Sequence, residues 1–418
     1  MIPKKVLAII PGWIPSTFLQ IINPLTALYM KGLIDLNIQY EFMAHESQIN
    51  WADIVVFCRN IEPLANKWLD IMNNESKPFI YDLDDNFFEL PDKDAFGKYI
   101  NLLPQKAMLN RYVKEASRVR VYSNSLQETI KKYNNNCVYR TPPLDWSKFK
   151  QNKKRKEKIQ IAYATSRKHD ELYLIFLPAM LRILDKYENI IEVSFWGYLP
   201  HQFKGRRNIK FFPFNHDYEA FVKKFSAYSI DIGLAPLYND LFHQSKTNNK
   251  FREYAASRIA GVYSNVGVYQ EVVNNKTGML VSNNESDWYD AISLLIENSE
   301  KRESIKNEAF NYIKKSYSQD FFEQKWLEDI ENTRFIHPEK YYGIITEYLG
   351  FNDQFYMTPS LKSILKKVFN RLMRNKFSMI KDSFQNLVLD SKLIIVSVFK
   401  LKIKLFQAGL IRKINKNG

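Results

Sequence analysis

Short apolar runs recur along the first three quarters of the chain, separated by polar, proline- or glycine-containing stretches. Runs at 6–10, 38–42, 54–58, 79–83, 119–123 and 137–140 have strand length, and stretches of helical length such as 24–32 and 63–73 lie between them. Pro142 and Pro143 end the last run, and the charged segment QNKKRKEK at 151–158 reads as a linker. A second series follows directly. Its strand-like runs are 159–164, 191–196, 209–214, 230–236, 259–264 and 279–282, and helical patterns cover 172–187, 287–298, 302–317 and 318–332, the last with Ser318 as N-cap. Strands alternating with helices predict βαβ units and parallel sheets. The pattern therefore predicts an α/β chain of two Rossmann-like doubly wound domains, at 1–150 and 158–334, facing each other across a ligand cleft.

The remainder, 335–418, is different. Residues 335–358 are aromatic-rich and irregular. Leu361, Ile364, Leu365, Val368, Phe369, Leu372, Met373 and Phe377 then recur at helical spacing, with Lys362, Lys366, Lys367, Arg371 and Arg374 filling the opposite face. This predicts a basic, mainly helical C-terminal extension. Within 393–406 the two-residue alternation of apolar residues and lysine favours a strand, whereas the surrounding basic helical pattern favours a helix.

Charge sharpens this division. The 418 residues carry a net charge of +15, but residues 359–418 hold 14 Lys and Arg against only Asp382 and Asp390. The rest of the chain is close to balance at +3, so nothing in it points to nucleic acid. Cys58 and Cys137 are the only cysteines, which fits a reducing cytosol and not a disulfide scaffold. The run at 6–10 is too short for a signal-peptide core, and no stretch approaches the ~20 apolar residues of a membrane span. A cytoplasmic location follows.

Candidate chemistry clusters at the predicted carboxyl ends of strands, where open parallel sheets bind ligands. In IYDLDDNFFELP (80–91) an apolar run ends in Asp82, Asp84 and Asp85. These acids suit sugar hydroxyls, proton transfer or a hard cation, and also a helix cap. In ATSRKHDELY (164–173), Arg167, Lys168 and His169 stand beside a predicted helix N-terminus, where an anion would neutralise them. Beyond 230–236 come Lys246, Thr247, Lys250 and Glu253. Lys250 and Glu253 share a helix face; Glu253 has two oxygens for a pair of ribose hydroxyls, and the lysines suit phosphate. Gly267 turns the chain, and the amides of Val268 and Tyr269 open the next turn as a further anion site.

Taken together, these motifs resemble the GT-B glycosyltransferases, specifically the retaining family 4 type found in bacterial surface polysaccharide synthesis. The resemblance spans about 1–334 and is most specific in APLYNDLFHQSKTNNKFREYAASRIAGVYSNVGVYQEVV (235–273). It implies transfer of a sugar from a nucleotide-diphosphate sugar to a hydroxyl of a lipid-linked glycan, with no metal or other cofactor. Glu253 matches the ribose-binding glutamate, Glu271 the acid of the glycine loop, and His169 lies in the basic donor loop with Arg167. Lys246 and Lys250 would hold phosphates, and Asp84 and Asp85 would act at the acceptor or the transferred sugar. The sequence departs from the family pattern at Ser245, where many members carry the first acid of a Glu-x7-Glu motif, and in having the single Gly267 where two glycines are usual. On this reading the basic extension docks peripherally on the anionic inner membrane face. The rival readings are a nucleotide-sugar epimerase of the same architecture and a non-catalytic glycan-binding subunit recruited to the membrane.

Overall fold

The computed structural model describes residues 2–337 apart from 13, 94, 150–155, 167–170 and 216. The predicted basic helix and the ambiguous segment at 393–406 lie outside the described residues. Among the described residues twelve strands form two sheets. The first contains β1 (Lys4–Ile10), β2 (Ile34–Tyr40), β3 (Ile54–Cys58), β4 (Phe79–Leu83), β5 (Arg118–Val121) and β6 (Cys137–Tyr139), in spatial order β2-β1-β3-β4-β5-β6. The second contains β7 (Ile159–Ala164), β8 (Ile191–Gly197), β9 (Ile209–Pro213), β10 (Ile232–Ala235), β11 (Ala260–Ser264) and β12 (Met279–Val281), in order β12-β11-β10-β7-β8-β9. Every pairing within the two sheets is parallel. Central strands such as β3 and β4 are buried along their whole length, which is why they appear in the sequence as unbroken apolar runs.

Strand order reverses between β1 and β3 in the first sheet and between β7 and β10 in the second. At such switch points adjacent connections leave on opposite faces and open a crevice beyond the carboxyl ends. The sequence places all twelve strands, with one clear offset. β2 covers 34–40 and not 38–42, because it pairs residue for residue with β1 from Lys4↔Ile34 to Ile10↔Tyr40, and the chain then turns at Glu41–Met43. The helix predicted over 172–187 is divided into a tight turn, Leu172–Ile175, and a helix, Leu177–Lys186. Pro178 lies in the first turn of that helix, where its missing amide costs nothing.

The helix Gln319–Asn332 begins on Ser318, whose hydroxyl accepts from the Phe321 amide. It follows the helices of the second sheet in sequence but packs on the first. Phe322, Trp326 and Ile330 join Val6, Ala8, Ile54, Val56 and Ile80 in one core cluster. Burial of those three side chains stabilises the docking by roughly 1.5–3 kcal/mol each.

The same helix carries Asp329, which is fully buried and accepts from three arginines of the first sheet: Arg118 at 2.5 Å, Arg140 (Nε at 2.9 Å) and Arg120. The Arg120 guanidinium lies 3.7 Å from the Trp326 ring centroid and reaches Asp82 at 3.3 Å, and the Tyr122 hydroxyl donates to Asp82 at 2.5 Å. Burial opposes the charged form of Asp329, but the guanidinium groups outweigh it and hold the carboxyl below its ordinary range. Among the described residues no helix is long and apolar enough to cross a membrane.

Removing one partner of a buried ionic cluster leaves uncompensated charge. Asp329→Ala is therefore expected to lower the unfolding free energy by about 3–5 kcal/mol in urea titration. A loss below about 1 kcal/mol, the usual scale of a surface pair, would show that the cluster does not hold the helix.

Candidate active site at the carboxyl ends of the sheets

On the first sheet, β3 ends at Cys58 and the next residue, Arg59, adopts φ 58°, in the left-handed region that a non-glycine residue enters at a cost of about 1–3 kcal/mol. Neighbouring groups hold it there. The Cys58 amide donates to Asn60 Oδ1 at 2.8 Å, and the Arg59 amide donates to the Asp82 carbonyl at 3.1 Å. The turn directs the guanidinium along the carboxyl end of the adjacent strand β4. There Nε lies 2.5 Å from Asp84 Oδ1, Nη2 pairs with Asp85 Oδ2, and the group sits 5.1 Å from the Phe87 ring centroid. Burial alone would lower the Arg59 pKa, but the two carboxylates reverse this and raise it further. Asp84 also accepts from Ser16 Oγ at 2.6 Å and Gln20 Nε2 at 3.2 Å.

The three aspartates thus occupy two environments. Asp82 lies inside β4, fully buried, and burial pushes its carboxyl up to about 7 against the opposing effects of Arg120 and Tyr122. Asp84 and Asp85 lie beyond the strand, paired with Arg59. Glu41, just past β2, is a further buried acid. Burial raises it to about 8, and the nearby Asn60 only partly offsets this.

On the second sheet, β10 ends at Ala235, and the loop beyond it runs to a short turn, Leu241–Gln244, capped by Asp240. Asp240 accepts from the His243 amide at 2.9 Å and lies 2.7 Å from its ring Nδ1. Burial would raise the Asp240 carboxyl, but these bonds to His243 lower it below its ordinary value. Ser245 follows, fully buried against the first half of the molecule. Its hydroxyl accepts from Asn86 Nδ2 at 3.1 Å and lies 3.2 Å from Ser125 Oγ, and its carbonyl accepts from Ser123 Oγ at 2.7 Å. Lys246 Nζ crosses to Asp85 Oδ1 at 3.0 Å.

The helix Asn249–Ala256 then carries Lys250 and Glu253, three residues apart and 3.0 Å between Nζ and Oε2. The Tyr218 hydroxyl donates to Glu253 Oε1 at 3.0 Å. A narrow cavity beside Glu253 is lined by Tyr218, Asn249 and Arg252 of the second half and by Leu19 of the first.

The structure brings Asp84, Asp85, Lys246, Lys250 and Glu253 to the facing carboxyl ends, with Thr247 half-buried between the two lysines. Arg167 and His169 lie outside the described residues. Gly267, Val268 and Tyr269 form a tight turn after β11. The Tyr269 amide donates to the Val266 carbonyl at 2.9 Å, and its ring packs on Tyr263 with centroids 4.8 Å apart. Glu271 accepts from Asn248 Nδ2, from the Tyr317 hydroxyl and from the Tyr312 hydroxyl at 3.0 Å. It therefore ties the loop before the Glu253 helix to the helix Ser299–Ser316 and the residue that follows it. Among the described residues no three His, Cys, Asp or Glu side chains converge as metal ligands.

Sequence reasoning missed Arg59, Tyr218 and Asn86. The one available signal for Arg59 was a cation at the end of a strand run preceding the acidic one.

No family model matches the chain, and no curated protein matches it in sequence. Solved structures do. Anabaena HepE, crystallised with UDP and glucose, is similar with a TM-score of 0.56 at 11% identity, over 79% of this chain and 100% of that one. Sucrose-phosphate synthase from Thermosynechococcus elongatus aligns at 0.58 and 10% identity, over 78% of this chain and 98% of that one. WaaG, a glycosyltransferase involved in lipopolysaccharide biosynthesis, aligns at 0.53 and 11% identity, over 78% and 99%. At such identities the likeness establishes the fold: this chain has the GT-B fold, two Rossmann-like sheets with flanking helices.

Glu41 gives a pH test. Its carboxyl is raised from 4.5 to about 8 in the folded state, so the folded form binds a proton that the unfolded chain releases. The stabilisation is complete below the unfolded value and is lost as pH rises through the folded one. Glu41→Gln should therefore flatten the fall in urea midpoint between about pH 5 and pH 8 relative to the wild-type chain. Parallel profiles for the two proteins would refute the burial of a protonated Glu41.

Proposed function

We propose that this chain is a retaining glycosyltransferase that moves a sugar from a nucleotide-diphosphate sugar to a hydroxyl of a lipid-linked acceptor in surface-polysaccharide synthesis. The observation that carries the reading is Glu253. It stands on the helix that follows β10, at the switch-point side of the second sheet, with Lys250 beside it and the first half of the molecule across the cleft. A carboxylate has about four acceptor positions. Tyr218 and Lys250 take one each and fix its orientation, which leaves capacity for a pair of ribose hydroxyls.

Lys246 and Lys250, with Arg167 from the basic loop, would carry the phosphates and stabilise charge on the departing nucleoside diphosphate. Glu271 supports this arrangement from behind, through Asn248. On the facing side Arg59, Asp84 and Asp85 stand where the acceptor and the transferred sugar would meet. That HepE of the same fold was crystallised with UDP and glucose supports a nucleoside-diphosphate donor here. The mechanism calls on no metal or other cofactor. The basic extension at 335–418 would hold the enzyme on the anionic inner leaflet, each lysine near the surface adding about 1 kcal/mol.

Incubation with a panel of nucleotide-sugars and lipid-linked acceptors should release a nucleoside diphosphate. Glu253→Ala should weaken binding of the active donor at least about tenfold, the loss of charge-assisted bonds worth roughly 1.5–3 kcal/mol. Unchanged affinity in a folded Glu253→Ala protein would remove Glu253 from the site. For the extension, the full chain should sediment with vesicles containing phosphatidylglycerol and a chain ending at 337 should not; equal sedimentation of the two would exclude it as the anchor.

A further inference from the structure

Among the described residues several ion pairs join the two halves, and the one at the facing carboxyl ends, Asp85 with Lys246, sits beside the neutral hydrogen bonds of Ser245. Asp85 is shared between two cations. Its Oδ2 pairs with Arg59 Nη2 and its Oδ1 lies 3.0 Å from Lys246 Nζ. Arg59 is itself divided between Asp85 and Asp84, with Nε 2.5 Å from the latter. The result is a chain of alternating charge, Asp84–Arg59–Asp85–Lys246, whose last link alone crosses between the halves.

We propose that Asp85 and the diphosphate of the donor compete for Lys246, so that Asp85 is a positioning residue that sets donor affinity from the opposite side of the cleft. This rests on the donor-site reading above.

Three observations support the exchange. First, the pair is the most exposed link of the chain: the side chains of Lys246 and Asp85 are 20% and 26% accessible, against 13% and 11% for Arg59 and Asp84. Breaking it costs least in desolvation. Second, Asp85 is not stranded when Lys246 leaves, because Arg59 stays on its other oxygen. Third, the backbone of Lys246 is held whatever its ammonium does. The neighbouring Ser245 is pinned by Asn86, Ser123 and Ser125, while the Lys246 ammonium also lies 4.2 Å from the Phe242 ring centroid, a second favourable seat. A fixed Cα with a long, flexible side chain permits exchange between anions without movement of the seam. A diphosphate carries more charge than one carboxylate and displaces it on electrostatic grounds.

Competition and static pairing differ in sign. If Asp85 merely braces the cleft, removing its charge leaves nucleotide affinity unchanged or weaker. If it competes, removing it frees Lys246 and tightens binding. The test uses the full chain and titration calorimetry with UDP, GDP and ADP as probes. For the nucleotide that binds, Asp85→Asn should bind about three- to tenfold tighter, in the range of a partly exposed ion pair and its coupling. Lys246→Met should bind more weakly, and the double variant should match Lys246→Met alone, the result expected when Asp85 affects the donor through the lysine. The gain in Asp85→Asn should also shrink as salt is raised. Asp85→Ala serves as a second variant if asparagine rearranges Arg59, and the same tightening is expected. Wild-type binding with unchanged or weaker affinity in the Asp85 variants, or additive effects in the double variant, overturns the competition alone. Failure of the wild-type chain to bind any of the three nucleotides overturns the donor reading and the proposal with it.

Discussion

Three arginines converging on one fully buried carboxylate set the geometry on which the rest of this molecule depends. Asp329 is on the last described helix, and that helix continues the chain of the second sheet while packing on the first. Without it the two sheets would be joined through the chain around residues 140–158 and the contacts in the cleft. With it they are joined twice. The anchor also reaches the site. The Trp326 indole donates to the Gln20 carbonyl at 2.8 Å, and the Gln20 side chain donates to Asp84 at 3.2 Å. One residue, Gln20, thus touches both the docked helix and a carboxylate of the cleft.

This arrangement divides the contacts between the halves into permanent and exchangeable ones. Neutral hydrogen bonds around Ser245 are buried and cost about 1–3 kcal/mol each to leave unmade, so they persist. A partly exposed ion pair is worth less than that and exchanges readily with competing anions. Catalysis in a cleft requires both behaviours. On the proposed reading the donor's phosphates would need cations that can be released to them, while the walls that exclude water would keep their register.

The sheets were legible because their strands are buried on both faces and therefore appear as uninterrupted apolar runs. β2 was misplaced by four residues because it is half-exposed, and only pairing with β1 decides where such a strand begins. The acidic run was legible as a cluster of carboxylates at the carboxyl end of β4. Which of its members serves the fold was not, because Asp82 is distinguished from Asp84 by Arg120 and Tyr122, some 40 residues further along the chain. Glu253 and Lys250 could be paired from helical spacing alone. Glu271 could not be placed, since two of its donors, Tyr312 and Tyr317, come from a later part of the chain. Arg59 left little trace, because its role depends on a left-handed backbone at a residue that is not glycine.

The serine at 245 has a physical reason in this frame. The resemblance places an acid there, yet the position is fully buried and its neighbours already include a balanced set of charges, Asp84 and Asp85 against Arg59 and Lys246. A glutamate would add a third carboxylate to a seam where Arg59 and Lys246 already serve two, and burying an incompletely paired charge costs several kcal/mol. Serine instead donates to the Leu241 carbonyl at 2.7 Å and accepts from Asn86, satisfying both roles of a hydroxyl in the space of one small side chain. The departure at this position is therefore coupled to the acidic run at the end of β4: with carboxylates on the first half of the cleft, the facing residue on the second half is best left uncharged.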